Sequence, residues 1–353
     1  MNRDGQGLYG LMRGLIGLAL GFYFRRIERF HIERVPVNGP VLFTSNHPNS
    51  LTDSFVIGAT VPRKVNFVAT VQLFRFAPLK WFLTRCGVIP INRVKDDARA
   101  MRTVADTFEA CFKVLEAGEA VGIFPEGITY DDAQLKEVKT GAARMALELE
   151  HRHEGKLGLV IVPVGLTYSA KENYRSEALV NFGEPIKVAD FLAGYAERRK
   201  ECIKALTSVL ERSLQALILH LPELDQARLV EGVKRLYLER LRLGNSIIDK
   251  PASPRAEELV LGQTIARAVQ HFTQAHPAEG ESFARRLATY ERRVAWLRVP
   301  EEWLVRAGKG TLWWRALALA LLAIIGFRDI FQVENIFIKC QHKFRRLSIR
   351  NFP

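Results

Sequence analysis

Short apolar runs alternate along the first half of the chain with longer stretches whose apolar positions recur every three or four residues. Val41-Leu42-Phe43, closing on Thr44-Ser45, predicts a strand, and so do Val65–Thr70, Gly87–Arg93, Ala120–Phe124, Leu157–Val164 and Val180–Pro185. Ile32–Pro40 reads as a further short strand and turn. Between these runs, Ser50 to Ala59 predicts a helix, as does Thr140–His153. Asp96–Ala117 predicts another, because Val104, Phe108, Cys111, Phe112 and Leu115 share one helical face. Gly118 stands where a helix C-terminus is usually closed. Strands alternating with helices predict an α/β fold, a mostly parallel sheet flanked by helices on both faces.

From Asp190 onward the pattern is helical throughout. Val230, Val233, Tyr237 and Leu241 keep helical spacing, as do Phe283, Leu287, Tyr290, Val294 and Leu297, and Asp249–Pro254 separates the two stripes. These read as core faces without chemistry. Both ends of the chain carry apolar segments. Gly7 to Phe24 is interrupted only by Arg13 and ends at Arg25, Arg26 and Arg29, with no cleavage site after it. As a helix it is about 27 Å long, just short of a ~30 Å hydrocarbon core. Gly7, Gly10, Gly14, Gly17 and Gly21 leave one face bare beside Leu8, Leu11, Leu15, Leu18 and Phe22. Such a face admits another helix closely, in a membrane pair or in a soluble core. We expect a membrane-seated N-terminal helix with its arginines at the headgroups. Leu312–Phe327 is a second apolar segment, followed by a tail with Arg328, Lys339, Lys343, Arg345, Arg346 and Arg350. The expected organisation is an N-terminal helix at 1–30, an α/β domain at 31–189, an all-helical region at 190–310, and an apolar helix with a basic tail at 311–353.

Composition changes this picture in two ways. With 48% hydrophobic and 25% charged residues the chain is an ordinary globular one, not a disordered one. A formal charge of +13 points to an anionic partner: a phosphorylated substrate, an anionic bilayer or nucleic acid. The basic residues are scattered through helices and form no recognisable nucleic-acid module, so no nucleic-acid partner is expected. Cys86, Cys111, Cys202 and Cys340 form neither a zinc pattern nor a disulfide framework, and His151 and His153 have no metal-site partners in the sequence. No metal is expected, and a reducing cytoplasmic setting fits.

The candidate chemistry lies at the predicted strand ends. Asn46-His47-Pro48-Asn49 follows the first strand and Asp53 comes six residues after His47. A carboxylate in reach of an imidazole orients it and stabilises its charged form, which makes a general base. Taken alone, the pair also reads as a turn cap and a helix cap. Arg93 and Glu126 stand at or past two other strand ends, where open α/β sheets collect their ligands.

Four ordered blocks carry a resemblance: Asn46-His47-Pro48-Asn49 through Asp53, Gly87-Val88-Ile89-Pro90-Ile91-Asn92-Arg93, Phe124-Pro125-Glu126-Gly127, and Ile161-Val162-Pro163-Val164. Together they resemble the glycerolipid acyltransferase superfamily, the 1-acylglycerol-3-phosphate and glycerol-3-phosphate acyltransferases. The resemblance implies catalytic roles for His47 as base and Asp53 as its orienter. It implies substrate contacts from Arg93 to an acceptor phosphate, from Glu126, Gly127 and Asn46 around the loop, and from Lys139 of Lys139-Thr140-Gly141. It implies no cofactor, with acyl-CoA or acyl-carrier protein as co-substrate, and no acyl-enzyme, since the chain lacks a Gly-x-Ser-x-Gly elbow. Two features depart from the family pattern. Five residues separate His47 from Asp53 instead of four, leaving Thr52 at the usual aspartate position, and Ile128-Thr129 follows Gly127 where the family has Thr-Arg.

The reading is therefore a membrane-associated acyltransferase on the cytoplasmic face, in a bacterial inner membrane, acting on lysophosphatidate or glycerol-3-phosphate. Two alternatives stay open: another lysophospholipid as acceptor, and a non-catalytic scaffold that binds membrane lipid.

Overall fold

The computed structural model describes residues 3–91, 100–127, 135–220, 228–234 and 254–297. They divide into two units, one of residues 1–220 with 250–259, the other of 221–249 with 260–353. The first contains α1 (Arg3–Tyr23), β1 (Arg26–Phe30), β2 (Val41–Ser45), α2 (Ser50–Thr60), β3 (Val65–Thr70), α3 (Ala77–Arg85), β4 (Ile89–Ile91), α4 (Ala100–Glu116) and β5 (Ala120–Ile123). It continues with α5 (Gly141–Arg152), β6 (Val160–Tyr168), β7 (Glu177–Phe182), β8 (Ile186–Lys187) and α6 (Arg199–Leu217).

The eight strands form one sheet in the order β1-β7-β6-β2-β5-β3-β4, with β8 also paired to β6. Pairing is parallel from β6 through β2, β5 and β3 to β4, while β7 and β8 run antiparallel to β6. The mostly parallel α/β sheet expected from the pattern is thus present. All five residues of β2 are buried, as a central strand covered on both faces requires. One side of the sheet packs on α4, α5 and α6 through residues such as Leu42, Phe112, Leu147, Ile161 and Leu210. The other packs under α1 and α2 through Phe24, Phe43, Val56, Ile57 and Val162. Burying side chains of this size contributes roughly 1.5–3 kcal/mol each, the main force holding the layers together.

The first strand lies elsewhere than expected. It is Arg26–Phe30, paired in parallel with β7, and Ile32–Arg34 forms a single 3₁₀ turn instead. An edge strand tolerates charges, so Arg26, Glu28 and Arg29 hid it from an apolar-run criterion. Glu28 is nevertheless buried, accepting hydrogen bonds from Arg26 and from the backbone of Arg255. β6 is also displaced relative to the expected Leu157–Val164 and runs four residues further, to Tyr168.

α1 lies on the sheet through Leu20 and Phe24, and Arg13 donates to the carbonyls of Ala59 and Val61 at the end of α2. Its opposite face bears Leu11, Leu15, Leu18 and Phe22, all at least half exposed. A side chain added at Gly7, Gly10, Gly14, Gly17 or Gly21 would meet no atom within 4 Å, so nothing described here packs closely on this glycine face. No helix among the described residues is long and apolar enough to cross a membrane. The segment Leu312–Phe327 and the basic tail lie outside the described residues.

In the second unit, residues 228–234 are helical (α7), and most of α8 (Pro254–Ala275) and all of α9 (Pro277–Leu297) belong to it. Val230 and Val233 are buried, and Leu287 lies so close over Gly232 that an added methyl group there would fall within 2.4 Å of it. Val230, Val233 and Leu287 of the two stripes are core positions, while Phe283 is partly buried.

Candidate active site

β2, β5 and β6 are parallel neighbours, so their carboxyl ends open on one edge of the sheet. The His47 loop leaves β2 there, Phe124–Gly127 leaves β5, and Tyr168 ends β6. The register pairs Ser45 with Val164, which carries the last four residues of β6 past β2 and over the loop that holds His47.

His47 Nδ1 lies 2.9 Å from Asp53 Oδ2, and Asp53 is fully buried. The same carboxylate oxygen accepts the Asn49 backbone N–H at 2.8 Å, and Oδ1 accepts the Tyr168 hydroxyl at 2.7 Å. Three donors satisfy a carboxylate that would otherwise be costly to bury. Because Oδ2 is an acceptor, Nδ1 carries the proton of the neutral ring and Nε2 presents its lone pair. The ring is held on its face as well. It stacks on Phe124 at 3.9 Å between centroids and 15° between planes, and Phe67 stacks beneath Phe124. Gly122 makes this pile possible, since a Cβ there would stand 2.5 Å from the Phe67 ring. His47 keeps about 16% of its side chain exposed, enough for one edge to reach a substrate.

The start of α2 brings Asp53 to His47. Ser50 adopts φ 47°, a left-handed conformation, and α2 then turns Asp53 fully inward while Thr52 stays partly exposed. A left-handed serine costs about 1–2 kcal/mol, which the three bonds to Asp53 offset.

Glu126 is buried, and its Oε1 accepts the His47 backbone N–H at 3.1 Å. Burial raises its carboxyl above the usual value, against the lowering effect of the His47 and Lys136 amides. Gly127 has φ 72°, and a side chain there would meet Lys139 Nζ at 2.6 Å, so Lys139 lies over this loop. Asn46 is buried with both ends of its amide bound to the Leu166 backbone, at 3.0 and 2.7 Å. Lys171 donates to the Pro48 carbonyl at 3.0 Å. His47, Asp53, Glu126, Gly127 and Asn46 are thus joined at one sheet edge, with Lys139 against Gly127; Arg93 lies outside the described residues. Sequence reasoning missed Tyr168, Phe124 as a ring support, and Lys171. Phe124 stood inside a recognised block, and Tyr168 lay two residues past Leu166 in the inward alternation of β6.

Among the described residues no cluster of three or more His, Cys, Asp or Glu side chains is arranged to hold a metal ion. The fold and site define an α/β domain with an imidazole oriented by a buried carboxylate at the carboxyl edge of its sheet. Residues 26–167 match the Acyltransferase family, over the part of the chain that carries the four blocks.

The chain is 31% identical over 134 residues to glycerol-3-phosphate O-acyltransferase 1 of Saccharomyces cerevisiae, which is 37% of this chain but 18% of that protein. It is 25% identical over 194 residues to the 1-acyl-sn-glycerol-3-phosphate acyltransferase of Bacillus subtilis, covering 54% of this chain and 87% of that one. The crystal structure of a 1-acyl-sn-glycerophosphate acyltransferase from Thermotoga maritima aligns with a TM-score of 0.44 at 18% identity, over 62% of this chain and 84% of that one.

Proposed function

We propose that the protein transfers a fatty acyl group from a thioester donor, acyl-CoA or acyl-carrier protein, to a hydroxyl of a glycerol phosphate or a lysophosphatidate. The observation that carries this reading is the His47–Asp53 pair, buried on one side and open at Nε2. Nε2 takes the proton of the acceptor hydroxyl, and the oxygen attacks the thioester carbonyl carbon. As the C–S bond breaks, the proton on His47 passes to the departing thiolate. Asp53 stabilises the imidazolium in between, and a thioester is activated enough for positioning and base catalysis to suffice without an acyl-enzyme. Lys139, and Arg93 after β4, are the cations proposed to hold the acceptor phosphate. Names of the two relatives support a glycerol-phosphate acceptor.

Two further features support a lipid substrate. An apolar cleft between α1, α2, β3 and α3 is lined by Tyr9, Ile16, Leu51, Phe55, Phe67 and Phe82 among others, and borders the helix that carries Asp53. It suits part of an acyl chain. The exposed Leu11, Leu15, Leu18 and Phe22, with Tyr23 and Tyr174 beside them and Arg25 and Arg26 following, suit an interfacial helix on an anionic bilayer.

The test is acyl transfer by the purified full chain to glycerol-3-phosphate, lysophosphatidate and a second lysophospholipid in parallel. His47→Ala is expected to lower turnover at least about 1000-fold with an unchanged circular dichroism spectrum. Full activity in that variant overturns the mechanism, and turnover with none of the acceptors overturns the substrate class.

A further inference from the structure

We propose that Tyr168 is a positioning residue for the dyad, holding Asp53 in place and moderating the negative charge that it presents to His47. The inference rests on the reading of His47 as a base. The Tyr168 hydroxyl donates to Asp53 Oδ1 at 2.7 Å, the oxygen that His47 does not use. Its ring is clamped on the other side by Phe24, stacked at 5.7 Å and 25°, at the end of α1. The β2–β6 register is what brings this tyrosine over the loop, since β6 overshoots its partner by four residues.

The chemistry follows from the donor count. With Asn49 N–H, His47 Nδ1–H and Tyr168 OH all on one buried carboxylate, each bond draws charge from the others. Removing the hydroxyl leaves Oδ1 without its donor in a fully buried site. Asp53 then becomes a stronger acceptor for the imidazolium, and His47 holds its proton to higher pH. A base that is protonated over more of the working range is a slower base at neutral pH. The phenol itself keeps its proton, because burial and the Asp53 charge push it well above its usual value. Among the described residues, Glu126 sits on the His47 amide, Lys171 on the Pro48 carbonyl, Lys139 against Gly127, and Arg13 on carbonyls at the far end of α2. Phe24, just after α1, presents an uncharged ring to Tyr168.

The experiment is a titration of the His47 ring by NMR of histidine-labelled full-length protein in detergent micelles, with the signal assigned from a His47→Gln sample. Tyr168→Phe keeps the ring and its stacking. It is expected to move the His47 midpoint up by about half a pH unit or more, and to move the acid limb of kcat/KM with it. In an Asp53→Asn background the same substitution is expected to move neither. Should Tyr168→Phe fold poorly, 3-fluorotyrosine at position 168, a stronger donor of the same shape, is expected to move the midpoint down. An unmoved midpoint, or an equal movement without the Asp53 carboxylate, overturns the assignment. A moved midpoint in a protein that turns over no acceptor keeps the Tyr168 role and removes the acyl-transfer reading instead.

Discussion

Glu126 Oε1 accepts the backbone N–H of His47, 79 positions earlier in the chain, at 3.1 Å. The glutamate of one strand end thereby holds the histidine of its neighbour, and the two blocks act as one structure. Glu126→Gln keeps an oxygen for that bond and is expected to retain activity within about tenfold. Glu126→Ala orphans the His47 amide, which costs about 1–3 kcal/mol and displaces the base, so activity falls about 100-fold or more. Steady-state rates and thermal melts of the two variants check this.

The same residue gives a pH prediction. Burial raises the Glu126 carboxyl above its unfolded value, so the folded state binds its proton more tightly than the unfolded one. Its contribution to stability is full below the usual carboxylate value and declines as pH rises through the raised one. Glu126→Gln removes this decline. The melting temperature of the variant relative to the parent is therefore expected to improve as pH rises across that window. A difference that stays flat with pH contradicts the burial of this carboxyl.

Ser50, between His47 and Asp53, stands in a left-handed conformation. Ser50→Gly adopts that conformation freely and is expected to leave activity and melting temperature nearly unchanged or slightly higher. Ser50→Val is expected to lose about 2 kcal/mol and to weaken the Asp53 contact, since a β-branched residue resists positive φ. Denaturation curves combined with rates separate the two.

Leu15 and Leu18 on the outer face of α1 are at least half exposed, so charging them leaves folding intact. Leu15→Glu with Leu18→Glu is expected to lower binding to anionic vesicles at least about tenfold, with the melting temperature unchanged. Co-sedimentation at two salt concentrations reads out both the apolar and the charge contributions.

The apolar cleft beside α2 gives the last prediction. Ala69 lines it, and Ala69→Phe fills it from the sheet side. The ratio of kcat/KM for a long-chain over a short-chain acyl donor is expected to fall about tenfold, because only the long chain needs the cleft. An unchanged ratio assigns the acyl chain to another surface.

The sequence by itself determined a mostly parallel α/β sheet flanked by helices, because buried central strands are continuous apolar runs and helices repeat every three to four residues. It also brought His47, Asp53 and Glu126 forward as candidates, since their types and order survive without any knowledge of contacts. Only the tertiary structure decided how they meet. Local pattern carries no register, so the overshoot of β6 that delivers Tyr168 to Asp53 was not legible in the chain. Nor was the left-handed turn at Ser50, because a serine in the local pattern gives no sign of positive φ and the turn depends on what Asp53 must reach. β1 was hidden for a related reason: an edge strand is chosen by its partner β7, not by its own apolar content. Glu126 marks the boundary between the two kinds of knowledge. Its block names it as functional, and the fold gives it the His47 amide to hold.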